Sequence, residues 1–366
     1  MSGPHHLVNV SRTALRTALA HHRRDVPVIV AVSGGSDSMA LAVTLAFIAP
    51  KLGLRALAIC IDHGIRPESA AEAHTVRSRL APFGIDVEIQ RIAVSGKAGP
   101  EGNARQGRYD AIADYARRMG GPDQPGTVLL GHTQNDQAET VLLGFSRGSG
   151  AQSIAGMPQT GSLPLHPDIV MLRPFLGFSR EDLRTICRQH NVEWIDDPSN
   201  ELGGPWKTAD GQELRRSALR HRVLPQLVQA LGPGTIPAIA RTAQLLQEDN
   251  TALEFYARNE LAQSIVRRDP LTIECDRLAP LPQAVRRRCL KYAVEESQVR
   301  SGELVYWHIA GLDKLLTERK NNRGIDLPGV RAWRESNQLI FLPGKQSRHD
   351  SRSLSKSTES LSLEDS

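Results

Sequence analysis

One polar loop between two apolar segments limits what this chain can fold into more than any other feature. Residues 26–49 read VPVIVAVSGGSDSMALAVTLAFIA, and the loop consists of Ser33, Gly34, Gly35, Ser36, Asp37 and Ser38. The pattern predicts a buried strand, a tight loop and a buried helix. In such a unit the loop and the first turn of the helix direct backbone N–H groups into one concavity, which suits a phosphate group.

The loop contains a carboxylate and no lysine. It therefore does not match G-x-x-x-x-G-K-S/T, the loop that grips β- and γ-phosphates. Asp37 would repel a phosphate unless a divalent cation bridged the two, so the sequence predicts Mg²⁺ together with a nucleotide. The alternative is a strand-to-helix turn that uses Gly and Ser for geometry alone, but a plain turn does not need this density of polar residues.

Strands and helices alternate four times in the first part of the chain. Apolar runs at 54–61, 87–92 and 127–130 predict three further strands, with helical patterns between them. Short connections between them predict an α/β fold with a doubly wound, mostly parallel sheet, followed by a smaller, mainly helical domain. The carboxyl ends of parallel strands open on one edge, where such sheets bind ligands.

Polar side chains follow these strands at the predicted ligand edge. Asp62 and His63 end the second strand, while His132 and Asp136 follow the fourth. Because the strand ends share one edge, we expect these four side chains and Asp37 to converge. His63 could equally be a structural histidine with satisfied hydrogen bonds.

Two acids lie at the start of the helix after the fourth strand. Asp136 and Glu139 are three residues apart and therefore share one helix face. Thr133 and Asp136 fit a capping box, which explains Asp136 without any function. It leaves Glu139 unexplained.

An earlier predicted helix has a charged face that carries Glu101, Arg105 and Arg108. Arginine forks of this kind suit phosphate or carboxylate groups. The alternative is a solvated face with a Glu–Arg pair at i,i+4.

Long amphipathic helices predominate after residue 228, and residues 330–342 predict a hairpin. The net charge of +5 and the pI near 9.2 are modest indications of a polyanionic partner. We expect an N-terminal helical extension at 1–24, a nucleotide-binding domain at 25–228, a helical domain at 229–343 and a disordered Ser-rich tail at 344–366.

The four cysteines do not form a recognisable site. Cys60, Cys187, Cys275 and Cys289 lack C-x-x-C spacing, so disulfides, a zinc site and an iron–sulfur cluster are unsupported. No apolar run is long enough to cross a bilayer, and the N-terminus is too polar for a signal peptide. We therefore expect a cytoplasmic protein with no membrane partner, and the sequence leaves open whether it forms a homodimer.

Several motifs together resemble one family. SGGSDS resembles the signature of the PP-loop ATP pyrophosphatases, and six further motifs resemble, in this order, the tRNA(Ile)-lysidine synthases of that superfamily. These are IDHGIRPESAAEA, ExxARxxRY (Glu101 to Tyr109), HTQNDQAETVLLGFSRGSG, LRPFLGFSREDL, DDPSN and LRHRVLPQL. The resemblance covers residues 26–228, and IDLPGV at 325–330 resembles the helical substrate-binding domain of the family.

The resemblance implies a two-step ligation. ATP adenylates the C2 oxygen of the wobble cytidine in the CAU anticodon of tRNA(Ile) and releases pyrophosphate. The ε-amine of free lysine then attacks C2, AMP leaves, and the base becomes lysidine, which changes codon reading from AUG to AUA. Adenylation is needed because a carbonyl oxygen is a very poor leaving group.

The same resemblance implies roles for individual residues. Ser33 to Ser38 would hold the pyrophosphate moiety, with Asp37 on Mg²⁺, and Asp62, His63 and His132 would join in binding ATP. Asp136 and Glu139 would receive the lysine amine. Arg105 would clamp the lysine carboxylate.

Two motifs depart from the family pattern. Asn135 and Asp136 stand where the family often has two acids, so the role of that pair depends on Asp136. The R-N-R-I-R-H element of the family reads RSALRH here and has lost its middle arginine. A catalytic or α-phosphate-binding arginine must then be Arg216 or Arg220, and the sequence does not choose between them.

Three alternatives have different requirements. A PP-loop tRNA thiolase would need paired or cluster-binding cysteines, and a glutamine-fed amide-forming relative would need a glutaminase domain; neither is found. A nucleotide-sensing RNA-binding module without catalysis would not need Asp37, Asp136 and Glu139 together.

Overall fold

The computed structural model describes residues 5–64, 68–92, 99–121, 123–148, 150–196, 214–297, 304–318 and 324–343, without the side chains of 99–101. Contacts divide the chain into two units, Met1–Glu248 and Asp249–Ser366. The division falls inside one long helix, and the boundary expected at residue 228 stays a prediction. The Ser-rich tail and residues 197–200 of the DDPSN motif lie outside the described residues.

The first unit contains the alternating elements that the sequence predicts. Its strands are β1 (Val28–Val32), β2 (Ala56–Asp62), β3 (Asp86–Arg91), β4 (Thr127–Leu129), β5 (Thr160–Leu163) and β6 (His166–Leu172). Its helices are α1 (His6–Ala18), α2 (Ser36–Leu52), α3 (Ser69–Leu80), α4 (Gly99–Gly120), α5 (Gln134–Phe145), α6 (Ala151–Ile154), α7 (Arg180–Gln189), α8 (Arg215–Ala218) and α9 (Leu224–Leu231). A turn of π-helix, Leu219–Val223, joins α8 to α9.

The six strands form one sheet in the order β3-β2-β1-β4-β6-β5. All neighbours are parallel except β5, which pairs antiparallel with β6. Strand β1 pairs with β2 on one side and with β4 on the other. The sheet confirms the predicted doubly wound, mostly parallel architecture.

Strand β1 is buried on both faces of the sheet. All five of its residues are buried; Val28, Val30 and Val32 belong to the core that includes α2, whereas Ile29 and Ala31 belong to the core that includes α4. Full burial of one such side chain stabilises the fold by roughly 1.5–3 kcal/mol. The apolar run before the polar loop is therefore the centre of the first unit.

The chain changes direction across the sheet at β1. Strands β2 and β3 extend the sheet on one side of β1, and β4 begins the other side. A crevice forms at such a switch point outside the carboxyl ends of the two strands. The loop after β1 and the segment after β4 both lie at this edge.

Gly34 allows the loop after β1 to pass between two packed side chains. Its φ is +84°, and an added Cβ would lie 2.9 Å from Val76 Cγ2 and 3.1 Å from Ile195 Cδ1. The Ile195 N–H donates to the Gly34 carbonyl at 2.9 Å. Position 34 therefore requires glycine for both conformation and space.

The second unit combines helices with an antiparallel sheet. Helix α10 (Thr235–Ser264) agrees with the predicted long helix, and α11 (Cys275–Leu278), α12 (Gln283–Glu296) and α13 (Tyr306–Thr317) follow. The strands are β7 (Ile265–Arg268), β8 (Leu271–Glu274), β9 (Ile325–Leu327), β10 (Val330–Glu335) and β11 (Gln338–Pro343), in the order β7-β8-β11-β10-β9. The predicted hairpin is confirmed as β10 and β11, and three short strands that the sequence did not predict extend it.

Within the part of the chain that the structure describes, no helix is both long enough and apolar enough to cross a bilayer.

Replacing Gly34 tests how tightly the loop is held. We expect Gly34→Ala to lower the free energy of unfolding by roughly 2–4 kcal/mol, because backbone strain and overlap with Val76 and Ile195 add together. Gly84 is the matched control, since it also has a positive φ of +73° but nothing within 4 Å of an added Cβ. Gly84→Ala should cost only the backbone strain, about 1 kcal/mol. Equal losses in urea unfolding of the two variants would contradict the packing of the loop.

Candidate active site

The serine hydroxyls hold the loop after β1 in one conformation. Ser38 Oγ accepts from the Ser33 N–H at 3.1 Å and donates to the Gly35 carbonyl at 3.0 Å. Ser36 Oγ donates to Asp37 Oδ1 at 3.0 Å. The N–H groups in the first turn of α2 have no partner within the helix, so the loop and this turn form a preorganised anion site.

Asp37 lies half-buried at the start of α2. Its Oδ2 lies 3.5 Å from Nε of Arg180, which is the first residue of α7. Burial raises the pKa of the Asp37 carboxyl, and the nearby charge of Asp136 acts in the same direction. Asp37 is thus close to the cation Arg180 of α7 and to the acid Asp136 of α5.

The donor set fits Mg²⁺ only in company with phosphate. Within the described part of the chain, His, Cys, Asp and Glu side chains form no group of three that could hold a metal ion. Mg²⁺ is commonly held by one or two carboxylates plus the phosphates of the substrate. Asp37, beside the phosphate loop, can supply one such carboxylate.

The chain after β4 packs directly against the start of α2. A Cβ at Gly131 would lie 3.0 Å from the carbonyl oxygen of Asp37 and 3.1 Å from Ser38 Cα. Only glycine permits this approach. It brings His132 and the start of α5 to the phosphate loop, as predicted from the shared sheet edge.

His132 is held as a neutral ring. Arg173 Nε donates to His132 Nδ1 at 3.0 Å, and Arg173 Nη1 donates to the Pro158 carbonyl at 2.8 Å. Burial, with a contribution from the Arg173 charge, lowers the pKa of His132 to about 3. Because Nδ1 accepts, the hydrogen of the neutral ring is on Nε2, which leaves His132 as a hydrogen-bond donor.

Asp136 and Glu139 are both buried in the first turns of α5. Asp136 Oδ2 accepts from the N–H and from Oγ1 of Thr133, each at 2.9 Å, which confirms the predicted capping box. Burial opposes the charge on Asp136, but Arg220 and the bonds from Thr133 hold the pKa of its carboxyl below the ordinary value. Glu139 has no exposed surface.

Arg220 joins the two acids. Its Nε donates to Glu139 Oε1 at 2.7 Å, and its Nη2 donates to Glu139 Oε2 at 3.1 Å and to Asp136 Oδ1 at 3.2 Å. Arg216 lies one turn earlier and donates to Thr140 Oγ1 at 3.2 Å. The structure therefore places Arg220 against the two carboxylates. Arg216, which belongs to α8, instead contacts the neighbouring Thr140 of α5.

The two arginines of α4 differ in their surroundings. Arg105 is exposed, with its guanidinium 5.1 Å from the ring centroid of Tyr109. Arg108 is half-buried, and burial lowers the pKa of its guanidinium. Within the described residues, Arg108 makes no hydrogen bond or ion pair, and its charge acts on His132. Among the described residues, Arg108 is thus a cation near the site without an acidic partner, whereas Arg105 faces solvent.

Asp62 stabilises its own loop at the end of β2. Its Oδ1 accepts from the Gly64 N–H at 2.8 Å and from Ser69 Oγ, and Arg91 Nε lies 3.8 Å from Oδ2. Burial opposes its charge, but these hydrogen bonds hold the pKa of Asp62 below the ordinary value. Asp62 and His63 lie at the ligand edge, one strand away from β1, and their contact with ATP stays a prediction.

Sequence reasoning names Arg108 as part of a charged face but misses two other arginines of this site. Arg173 and Arg180 appear in the sequence only as letters of a motif. Arg173 follows β6, which pairs with β4, so its position at a strand end is a usable signal. Arg180 follows the cap of α7, Ser179, and nothing local indicates that its side chain reaches Asp37.

An apolar cavity of about 430 Å³ lies farther along α5. It is lined by Val141 and Phe145 of α5, with residues of α6, α9 and α10. The phosphate loop and the acids are not among its lining residues, so it is separate from the charged site.

Comparison with known proteins agrees with this geometry. Residues 8–227 match the PP-loop domain, and residues 274–340 match the TilS substrate binding domain. Among solved structures, a U34-tRNA thiolase, NcsA from Methanococcus maripaludis, has a TM-score of 0.51 over 66% of this chain and 80% of that one. At 17% identity, this likeness shows a shared fold alone.

Full-length relatives are more similar. The tRNA(Ile)-lysidine synthase of Thermobifida fusca (strain YX) is 41% identical over 348 residues, which cover 93% of this chain and 99% of that protein. The tRNA(Ile)-lysidine synthase of Streptomyces coelicolor (strain ATCC BAA-471 / A3(2) / M145) is 43% identical over 87% of this chain and 85% of that protein. Because the PP-loop match covers more than half of the chain and these relatives match nearly all of it, the chain belongs to the tRNA(Ile)-lysidine synthase family.

Proposed function

We propose that this protein joins lysine to C2 of the wobble cytidine in the CAU anticodon of tRNA(Ile). ATP first adenylates the C2 oxygen and releases pyrophosphate; the ε-amine of lysine then attacks C2 and displaces AMP. The names of the relatives support this activity, and the match to a substrate binding domain supports tRNA as the macromolecular substrate. The reaction would take place in the cytoplasm, where tRNA is available.

The observation that carries the proposal is a pair of buried carboxylates facing a phosphate loop. Asp136 and Glu139 are buried, and the charge of Asp136 acts on Asp37. Binding a nucleotide alone does not require two more acids beside the phosphates, because they repel the ligand. A cationic second substrate does require them.

The chemistry of lysine explains why acids are needed. Its ammonium group has a reference pKa of ~10.4, so presenting a free amine near neutral pH costs roughly 4–5 kcal/mol unless a base assists. His132 cannot take this proton, because its Nδ1 already accepts from Arg173 and its Nε2 carries the ring hydrogen. Asp136 and Glu139 are the groups placed to bind the ammonium and take its proton.

Binding of ATP would use the loop and its neighbours. The N–H groups and hydroxyls of Ser33 to Ser38 would hold the pyrophosphate moiety, and Mg²⁺ bound to Asp37 would neutralise phosphate charge. Neutral His132 would donate from Nε2 to an oxygen of the reacting groups. Arg180, beside Asp37, adds a cation to this side of the site.

The carboxylate of lysine needs a cation of its own. Arg105 is the residue expected from the motif, but its guanidinium is exposed and lies near Tyr109. Arg108 is half-buried, and its charge acts on His132. The geometry therefore favours Arg108 as the clamp, with Arg105 adding positive charge on the exposed side of α4.

The thiolase alternative lacks support from the cysteines. All four are buried, and the Sγ atoms of Cys187 and Cys289 donate to the carbonyls of Ser36 and Ala257. Burial raises the pKa of Cys187 to about 12, which disfavours a reactive thiolate.

The first test is the substrate dependence of ATP cleavage. We expect the purified protein to convert ATP to AMP only when lysine and the cognate tRNA are both present, because both reaction steps must finish before AMP leaves. Radiolabelled ATP and lysine would be followed by thin-layer chromatography, with methionine tRNA as the control substrate. Turnover that does not depend on lysine would refute the assignment.

The second test assigns Asp37 and Glu139 to different steps of the reaction. Asp37→Asn should abolish formation of the adenylate, since phosphate charge would no longer be neutralised. Glu139→Gln should let the adenylate form but slow lysine transfer by about 10²-fold or more, because the amine loses an acceptor for its proton. Rapid quenching would measure the adenylated tRNA and the lysidine product. If both variants stop at the same step, the division of roles is wrong.

The third test concerns the neutral state of His132. Its pKa is about 3 in the folded protein and 6.5 in the reference state, so its contribution to stability is complete above about pH 6.5 and declines as the pH falls towards 3. Between about pH 7.5 and 5.5 the loss should be roughly 1 kcal/mol.

His132→Gln should remove that part of the pH dependence in urea unfolding. The exposed His74 provides the control, because His74→Gln leaves the buried ring in place. An unchanged loss in His132→Gln would show that His132 is not held neutral.

A further inference from the structure

Arg220 occupies the place that the proposed function assigns to the ammonium group of lysine. We infer that its guanidinium is an internal stand-in for the substrate cation, and that lysine binds by displacing it from Asp136 and Glu139. The inference rests on the proposed function and adds a specificity-determining role for Arg220 within it.

The guanidinium of Arg220 occupies the position between the two acids. Oδ2 of Asp136 is committed to Thr133, and each of the three remaining oxygens accepts from Arg220. An ammonium group that bridges the two acids would occupy the position of Arg220 Nη2, which already donates to both of them.

Charge balance points to the same exchange. Glu139 is fully buried and Asp136 nearly so, and leaving two buried carboxylates without a cation is costly. Among the residues that the structure describes, Arg220 is the one cation within 4.0 Å of either acid. Asp136, Glu139 and Arg220 together still carry one net negative charge, which attracts a second cation, and repulsion between the two cations favours release of the guanidinium.

The helix that carries Arg220 has an interrupted hydrogen-bond ladder. Arg220 lies in the π-turn Leu219–Val223, and Pro225 follows it in α9. Proline has no N–H, and its ring crowds the carbonyl four residues earlier, which is that of His221. Such turns are frequent at functional sites. A ladder that is already broken lowers the cost of moving this segment.

The displaced guanidinium has an anionic destination nearby. Burial opposes the charge of Arg220, but Glu139, Asp136 and Asp37 together raise the pKa of its guanidinium. Because Asp37 lies beside the phosphate loop, Arg220 released by lysine can turn to the phosphates of bound ATP. Binding of lysine and contact with ATP are then coupled, and the coupling is reciprocal.

Calorimetric titration of the full-length, tRNA-free protein with L-lysine tests the exchange. Arg220→Gln should bind lysine roughly tenfold more tightly than the unsubstituted protein, because charge-assisted hydrogen bonds no longer have to be broken. Its turnover number with tRNA should fall, since no guanidinium reaches the phosphates. A residue with a merely structural role would weaken binding and turnover together.

Two further variants complete the design. Arg222→Gln removes one charge from an exposed position of the same π-turn and should leave lysine affinity unchanged. Arg220→Lys keeps a cation but loses the planar fork of the guanidinium, so its affinity for lysine should lie between those of the unsubstituted protein and Arg220→Gln. If Arg220→Gln does not fold, Arg220→Lys provides the test in its place. Norleucine, which has no ε-amine, should not bind to the unsubstituted protein.

Failure of the inference differs from failure of the proposed function. Lysine binding by Arg220→Gln that is equal to or weaker than that of the unsubstituted protein would overturn the exchange while leaving the ligation intact. If no variant binds lysine and no labelled lysine enters tRNA, the proposed function fails and the exchange fails with it.

Discussion

The first unit depends on compensating buried negative charge at one edge of its sheet. Asp37, Asp136 and Glu139 are carried by two helices that begin at the carboxyl ends of β1 and β4, and β1 lies between hydrophobic cores on both faces. Isolated buried carboxylates would be unstable, so cations must come from elsewhere in the chain. Arg180 of α7 and Arg220 of the π-turn supply them. Folding of these later segments is thus tied to the phosphate site.

This dependence explains which parts of the site can be predicted from the sequence. Strand ends and helix starts are encoded by local patterns, so the amino-acid sequence alone locates the phosphate loop, Asp136 and Glu139. Their cationic partners are 81 residues away in the chain for Glu139 and Arg220, and farther still for Asp37 and Arg180, and they are chosen by tertiary packing. The sequence leaves the choice between Arg216 and Arg220 open for that reason, and the contacts resolve which one bonds to the acids.

Arg105 and Arg108 illustrate the limit of helical periodicity. Positions three residues apart share a face in the pattern, yet one guanidinium is exposed and the other half-buried. In the second unit, the long α10 and the hairpin are predictable because their patterns extend over many residues. Strands β7, β8 and β9 have only three or four residues, and such runs are too short to distinguish from turns.

The charge balance at Asp136 and Glu139 also bears on how lysine is deprotonated. While Arg220 bonds to Asp136, it helps to hold the pKa of that carboxyl below the ordinary value, so Asp136 is a poor base. When Arg220 leaves, burial and the neighbouring carboxylate raise the affinity of Asp136 for a proton. Displacement of Arg220 by the ammonium group would therefore do two things at once. It would admit the nucleophile, and it would convert the acid pair into a base strong enough to take the proton that the nucleophile must lose.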